Sequence, residues 1–243
     1  MENIKTMVFS SRHVETHAAK SGKKLNWLRA SVLGANDGIV STASIVVGVA
    51  GASDSLSFIL TAGIAGLVAG ALSMGVGEYV SVSAQRDSER AMIEKERQEL
   101  IDSPEAELEE LANIYSSKGL SNETALVVAK ELTENDAFAA HLDAELGIDP
   151  NNLTDPWHAA FASAAAFVCG AIIPIFMVII VPAAIRIPAT FFGVFLALVV
   201  TGTLSAYAGR AKKFNAAVRV VVGGILAMIV TFGIGKLFGV AGI

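Results

Sequence analysis

The chain has 243 residues, 53 % of them hydrophobic, and a mean hydropathy of +0.57, against about 45–50 % apolar residues in an ordinary soluble domain, so a bilayer is the first solvent to consider. One cysteine, Cys169, in an apolar run excludes a disulfide framework or a thiolate metal cluster within one chain. The net charge of −5 hides an asymmetry: residues 86–155 hold 18 of the 23 acidic side chains and six bases, a local balance of −12 against +7 elsewhere, which argues against a nucleic-acid partner and suits cations.

Residues 1–24 are polar and mixed in charge, lack the apolar core and small-residue cleavage site of a signal peptide, and read as a cytosolic N-terminal segment. Five apolar stretches then meet the length of about 20 helical residues needed to cross a bilayer: Trp27 to Ala52, Leu56 to Ala84, Trp157 to Val181, Ile187 to Ala208 and Phe214 to Phe238. The expected fold is therefore an all-α, polytopic membrane protein with five transmembrane helices and an acidic helical cytosolic insertion between the second and third. Residues 25–85 carry the first two spans, 86–155 the insertion and 156–243 the last three. Asp155 and Pro156 read as cap and first residue of the third span, and Pro182 and Pro188 bracket the turn into the fourth.

Lysines and arginines stay on the cytosolic side. They cluster in the N-terminal segment (Lys5, Arg12, Lys20, Lys23, Lys24 and Arg29) and in the fourth connection (Arg210, Lys212 and Lys213), whereas the first connection has none and the third only Arg186. The N-terminus and the insertion are then cytosolic and the C-terminus extracytosolic. In the insertion, the second span runs on without Gly or Pro from Ser83 to Ile101 and stops at Asp102 to Pro104. A helix closed by Gly119 follows, then one capped by Ser121 or Asn122, and a last one ending at Gly147. Its apolar residues are too few for a comfortable independent core, so dimerisation or bound metal would help it hold together.

Three polar groups interrupt the first two spans: Asn36, Asp37 and Glu78. An ionisable residue at membrane depth costs a few kcal/mol or more and usually faces a partner or a water-filled path. Asp37 is eight residues beyond Arg29 and Glu78 eight before Arg86, about 12 Å inside the cytosolic boundary at 1.5 Å per helical residue. Met74 stands four residues before Glu78 on the same helical face. A carboxylate beside a thioether favours transition metals over calcium and magnesium, although a methionine in a membrane helix often does no more than pack and a glutamate near a helix end can snorkel. Gly34 and Gly38, and Gly66 and Gly70, form small-xxx-small patterns that permit close helix approach and would bring the acidic side chains near one another, as across a two-fold axis.

In the insertion, Glu96 and Glu99 are three apart on one helix, Glu107 and Glu110 three apart on the next, and His141 and Glu145 four apart on the last. Each pair shares a face, and a hairpin at Pro104 lets the faces converge into a set of oxygen and imidazole ligands for iron, manganese or zinc; the competing reading is a merely solubilising acidic surface. His13 and His17, also four apart, offer a possible extension on the N-terminal segment.

On these residues the chain resembles the vacuolar iron transporter family, which includes nodulin-like and yeast vacuolar iron and manganese carriers. The resemblance is carried by Asn36-Asp37-Gly38-Ile39-Val40-Ser41-Thr42, by the long run from Gly70 to Ser81, and by Gly170-Ala171-Ile172-Ile173-Pro174. It implies a homodimer of five-span subunits, a path at the dimer interface lined by the first two spans, and proton-coupled export from the cytosol. It also implies that Asp37 and Met74 are membrane ligands and that Glu96, Glu99, Glu107, Glu110 and Glu145 belong to a cytosolic metal-binding domain. Two positions depart from the plant pattern: Gly66 stands where a further membrane glutamate is expected, and His141 and Leu142 where methionines are.

The expected function is proton-coupled export of Fe2+ or Mn2+, with no prosthetic group, no enzymatic activity and Fe2+, Mn2+ or Zn2+ bound as substrate ions by Asp37, Met74, Glu78 and the insertion ligands. The alternatives are a membrane-anchored metal sensor or scaffold and a di-iron ferroxidase, the latter disfavoured because no histidine has a glutamate three residues before it. The membrane of residence would be the plasma membrane in a bacterium and a vacuole or other organelle in a eukaryote.

Overall fold

The computed structural model describes residues 17–209 and 212–241, which form seven α-helices and no strand. In chain order these are α1 (His17–Ala52), α2 (Leu56–Asp102), α3 (Pro104–Ser117), α4 (Asn122–His141), α5 (Pro156–Ile180), α6 (Arg186–Ala208) and α7 (Lys213–Ala241). A π-helical turn, Leu142–Leu146, continues α4, and a short 3-10 turn, Ala183–Ile185, precedes α6. Five of the helices, α1, α2, α5, α6 and α7, contain segments long and apolar enough to cross a membrane. The first of these helices begins at His17, and its membrane-length segment among the described residues is Ser31–Ala52. Lys5, Arg12, His13 and Arg210 lie outside the described residues.

The chain divides into two compact units, Val76–Ala160 and the remainder. In the remainder α1 is the central helix. Ile39, Ala43 and Val47, at four-residue spacing on one face, are buried with Val194 and Leu198 of α6 and Met228 of α7. Val46 and Ala50, on another face, are buried with Ile59 of α2 and Val178 of α5. Glycines set how close the neighbours come: a Cβ at Gly38 would overlap the Phe167 carbonyl of α5, and one at Gly170 the Ala35 carbonyl of α1. Gly66 and Gly70 of α2 likewise receive the side chains of Ile45 and Phe167. Both glycine patterns are thus used inside one chain.

Beyond Gly77 nothing in α2 breaks a helix until Pro104. The 47 residues therefore form one unbroken α-helix, more than twice the about 20 residues needed to cross a hydrocarbon core. Its far end belongs to the unit Val76–Ala160, with α3, α4 and the π-helical turn. Ser121 caps α4 by accepting the Thr124 N–H. Gly119 and Gly147, with φ of 104° and 61°, take the left-handed conformations that end the flanking helices. The apolar core here is small: Leu111, Ala112 and Ala129, with Leu108, Tyr115 and Leu132 packed against it. At the other end of the unit Asp155 caps α5, its Oδ1 accepting the N–H groups of Trp157 and His158.

The glycine contacts give a direct stability test by thermal unfolding in detergent. Gly38→Val places a branched side chain against immovable backbone and should cost about 3 kcal/mol or more. Gly77→Ala, where no atom lies within 4 Å of the new Cβ, should be neutral or gain about 0.5–1 kcal/mol from helix propensity.

Candidate metal centre

The hairpin between α2 and α3 turns at Ser103, and Pro104, which needs no helical N–H, opens α3. Glu96, one and a half turns before the end of α2, and Glu107, in the first turn of α3, thereby face one space. The third contributor depends on a break in α4. Asp136 leaves the helical region (φ −163°, ψ 94°) and its Oδ1 accepts the Ala139 N–H, recapping a last short turn that carries His141. The π-helical turn that follows holds Glu145 beside it; such widened turns recur at functional sites.

Glu96, Glu107 and His141 each offer a ligand atom, and these atoms lie within 4.8 Å of one another. All three residues are buried, at 3 %, 7 % and 0 % exposure. His141 Nδ1 is 2.9 Å from Glu96 Oε1, 3.7 Å from Glu107 Oε2 and 3.7 Å from Glu145 Oε2. Proximity does not become hydrogen bonding: Nδ1, Nε2 and Glu96 Oε1 are sealed from solvent without a hydrogen-bond partner. Each such orphan costs about 1–3 kcal/mol, and an unsatisfied buried group calls for an explanation such as a bound ion. One cation at the usual 2.0–2.2 Å from nitrogen and oxygen ligands would satisfy the set after small side-chain adjustments. Imidazole with carboxylates suits iron, zinc and manganese better than calcium or magnesium.

The electrostatics agree. Burial, followed by the Glu145 and Glu107 charges, pushes the Glu96 carboxyl up to about 7. Glu107 is also raised, first by burial and then by Glu110, with His141 opposing. Crowded, dehydrated carboxylates hold protons until a cation replaces them.

The other expected ligands of this unit are less buried, and two of them, Glu99 and Glu110, are outside the buried set. Glu99 turns outward to Lys95, 2.7 Å away in an exposed ion pair, and Glu110 is exposed. Glu145 is at the rim, with its side chain 28 % exposed. Asp136, which aims His141, escaped the sequence reading because an aspartate inside a helical run carries no local sign of a break.

In the membrane unit Asp37 and Met74 are brought together. Both line a hollow of about 440 Å³ between α1, α2 and α7 and a second of about 390 Å³ between α1, α2 and α5. The second also takes Ser41 and Ser73, and the Ser41 hydroxyl donates to the Asp37 backbone carbonyl at 2.6 Å. Asn36 is tied to α6, accepting from the Thr201 hydroxyl at 3.5 Å. Asp37 is exposed on the chain and Met74 half-buried. Glu78, one turn beyond Met74 on α2, is half-buried. The sequence reading missed Arg219 of α7, which lines the first hollow; a basic residue six positions inside the last span was the available signal.

The model of the VIT family matches residues 28–236. The chain belongs to the VIT family. It is 43 % identical over 224 residues to a protein of Acanthamoeba castellanii named vacuolar iron transporter, covering 92 % of this chain and 82 % of that one. With the Arabidopsis thaliana proteins named vacuolar iron transporter homolog 1 and homolog 3 it shares 38 % over 218 residues (89 % and 86 % coverage) and 35 % over 240 (98 % and 96 %). With five membrane-length helices, this VIT-family chain is an integral membrane protein, and relatives named as transporters accord with a chain that is not an enzyme.

A carboxyl raised from 4.5 to about 7 binds its proton more tightly in the folded state than in the unfolded one. Between those values the folded protein carries the extra proton, so its metal-free stability falls as pH rises through the window. The melting temperature of metal-free protein should drop between about pH 5 and about pH 7.5 more steeply in the wild type than in Glu96→Gln; equal slopes would contradict the assignment.

Proposed function

We propose that the chain exports divalent transition metal ions, Fe2+ and Mn2+ foremost, from the cytosol in exchange for protons, working as a homodimer. The observation that carries the proposal is the buried, unpartnered ligand set of Glu96, Glu107 and His141. In this reading residues 86–155, within the unit Val76–Ala160, are the cytosolic metal-binding domain. Glu96, Glu107 and His141 gather the ion, and Glu145, Glu99 and Glu110 form a negative rim that attracts it. Asp37, Met74 and Glu78 then bind it within the membrane. The names of the relatives, iron transporters over most of the chain length, support iron as cargo.

The exposure of Asp37 supports a two-chain arrangement. A carboxylate facing lipid costs a few kcal/mol, and a second copy presenting α1 and α2 would enclose it in a hydrated path instead. The exposed apolar residues Ile64, Val68 and Leu72, repeating every four residues on α2, suit such a junction. Proton exchange follows from carboxylate chemistry: each ligand can release a metal by accepting a proton, so a pH gradient can drive the cargo.

Flux of Fe2+ or Mn2+ into inside-out proteoliposomes tests the reading. Asp37→Asn should lower the rate at least about tenfold, a loss of roughly 1.4 kcal/mol or more, and collapsing the pH gradient should stop accumulation. His141→Ala should weaken metal binding by about 10–100-fold in titration calorimetry. Metal binding without flux in the wild type would instead mark a sensor.

A further inference from the structure

Arg219 has no role in the scheme above, yet it shares a hollow with Asp37, Asn36 and Met74. Val40 packs on Gly224, Gly48 meets Gly235 and Ala52 meets Gly239, so α1 and α7 run parallel, side by side. That register sets Arg219 roughly one turn, about 5 Å, nearer the N-terminal ends than Asp37, within reach of an extended arginine. The guanidinium is parked away from it: Nε donates to the Asn215 carbonyl at 3.3 Å, one turn back on α7. Among the described residues no ion pair joins it to Asp37. The way forward is clear, because the next turn on the same face is Gly223, where an added Cβ would meet nothing within 4 Å.

Resting on the assignment of Asp37 as a membrane ligand, we propose that Arg219 is its tethered counter-cation, free to swing from the Asn215 carbonyl onto the carboxylate and to compete there with an arriving divalent ion. The reason is charge. Arg219 is the one cation that lines the hollows of Asp37 among the described residues. An arginine stays charged at any physiological pH and can neutralise an otherwise uncompensated carboxylate at membrane depth. A monovalent ion gains no Coulomb advantage over the guanidinium, whereas a divalent ion doubles the attraction. Once displaced, the arginine repels the bound ion and speeds its departure. Arg219 is thus a positioning residue that sets valence selectivity and release.

The test uses Mn2+ and full-length protein in proteoliposomes. Arg219→Gln should lower the half-saturating Mn2+ concentration by about tenfold and lower the maximal rate, because the ion binds without a competitor and leaves without a push; Arg219→Lys, which keeps the charge, should restore most of the wild-type behaviour. An unchanged or raised half-saturation in Arg219→Gln overturns the proposal, since a merely structural role would depress the rate alone. Wild-type protein supplies a readout independent of folding of the variants: Mn2+ should accelerate phenylglyoxal modification of Arg219, followed by mass spectrometry, and unchanged or slowed modification overturns it. If Asp37→Asn transports normally, the ligand assignment itself fails. If Asp37→Asn is inactive while Arg219→Gln keeps the wild-type half-saturation, only the counter-cation role fails.

Discussion

Ligating atoms held inside protein without hydrogen-bond partners are expensive, and the unit Val76–Ala160 is organised around that expense. His141 is wholly buried and neither ring nitrogen has a hydrogen-bond partner, and Glu96 Oε1 is in the same condition. At about 1–3 kcal/mol for each unsatisfied group, the penalty falls on a unit whose fully buried apolar cluster is only Leu111, Ala112 and Ala129. An ion that binds only the folded state adds stability in proportion to the logarithm of its concentration over Kd. Under the proposed function, metal loading and the integrity of this unit are therefore coupled.

The same logic recurs among the membrane helices with different materials. Asp37 stands on the most deeply packed of the five helices, and the glycines at 38 and 170 lock the backbone that carries it against α5. A rigid main chain fixes where the carboxylate stands, while the hollows on either side leave its charge accessible. The small serine side chains at 41 and 73 keep one hollow polar without filling it.

Much of this was legible in the sequence, because hydropathy and helix punctuation are local. The five apolar runs, the uninterrupted α2, the stop at Pro104, the Ser121 cap and the Gly119 and Gly147 terminations all come from residues acting on their immediate neighbours. Spacing also pointed to the helix faces that carry Glu96, Glu107 and His141, whose ligand atoms lie within 4.8 Å of one another, but three-residue spacing cannot say which member of a pair turns inward. Glu96 went in and Glu99 went to Lys95 because the interhelical geometry chose between them. Asp136 and Arg219 were hidden for related reasons: one acts through a backbone break, and the other matters through a parallel helix neighbour far away in sequence.

The histidine gives the centre a distinctive spectroscopic handle. Mn2+ bound to full-length protein with 15N-labelled histidine should show hyperfine coupling to a directly ligated imidazole nitrogen in pulsed electron paramagnetic resonance, and the coupling should vanish in His141→Ala. A wild-type spectrum with only oxygen ligands, or nitrogen coupling that survives loss of His141, would contradict the assignment of Glu96, Glu107 and His141 as the metal centre.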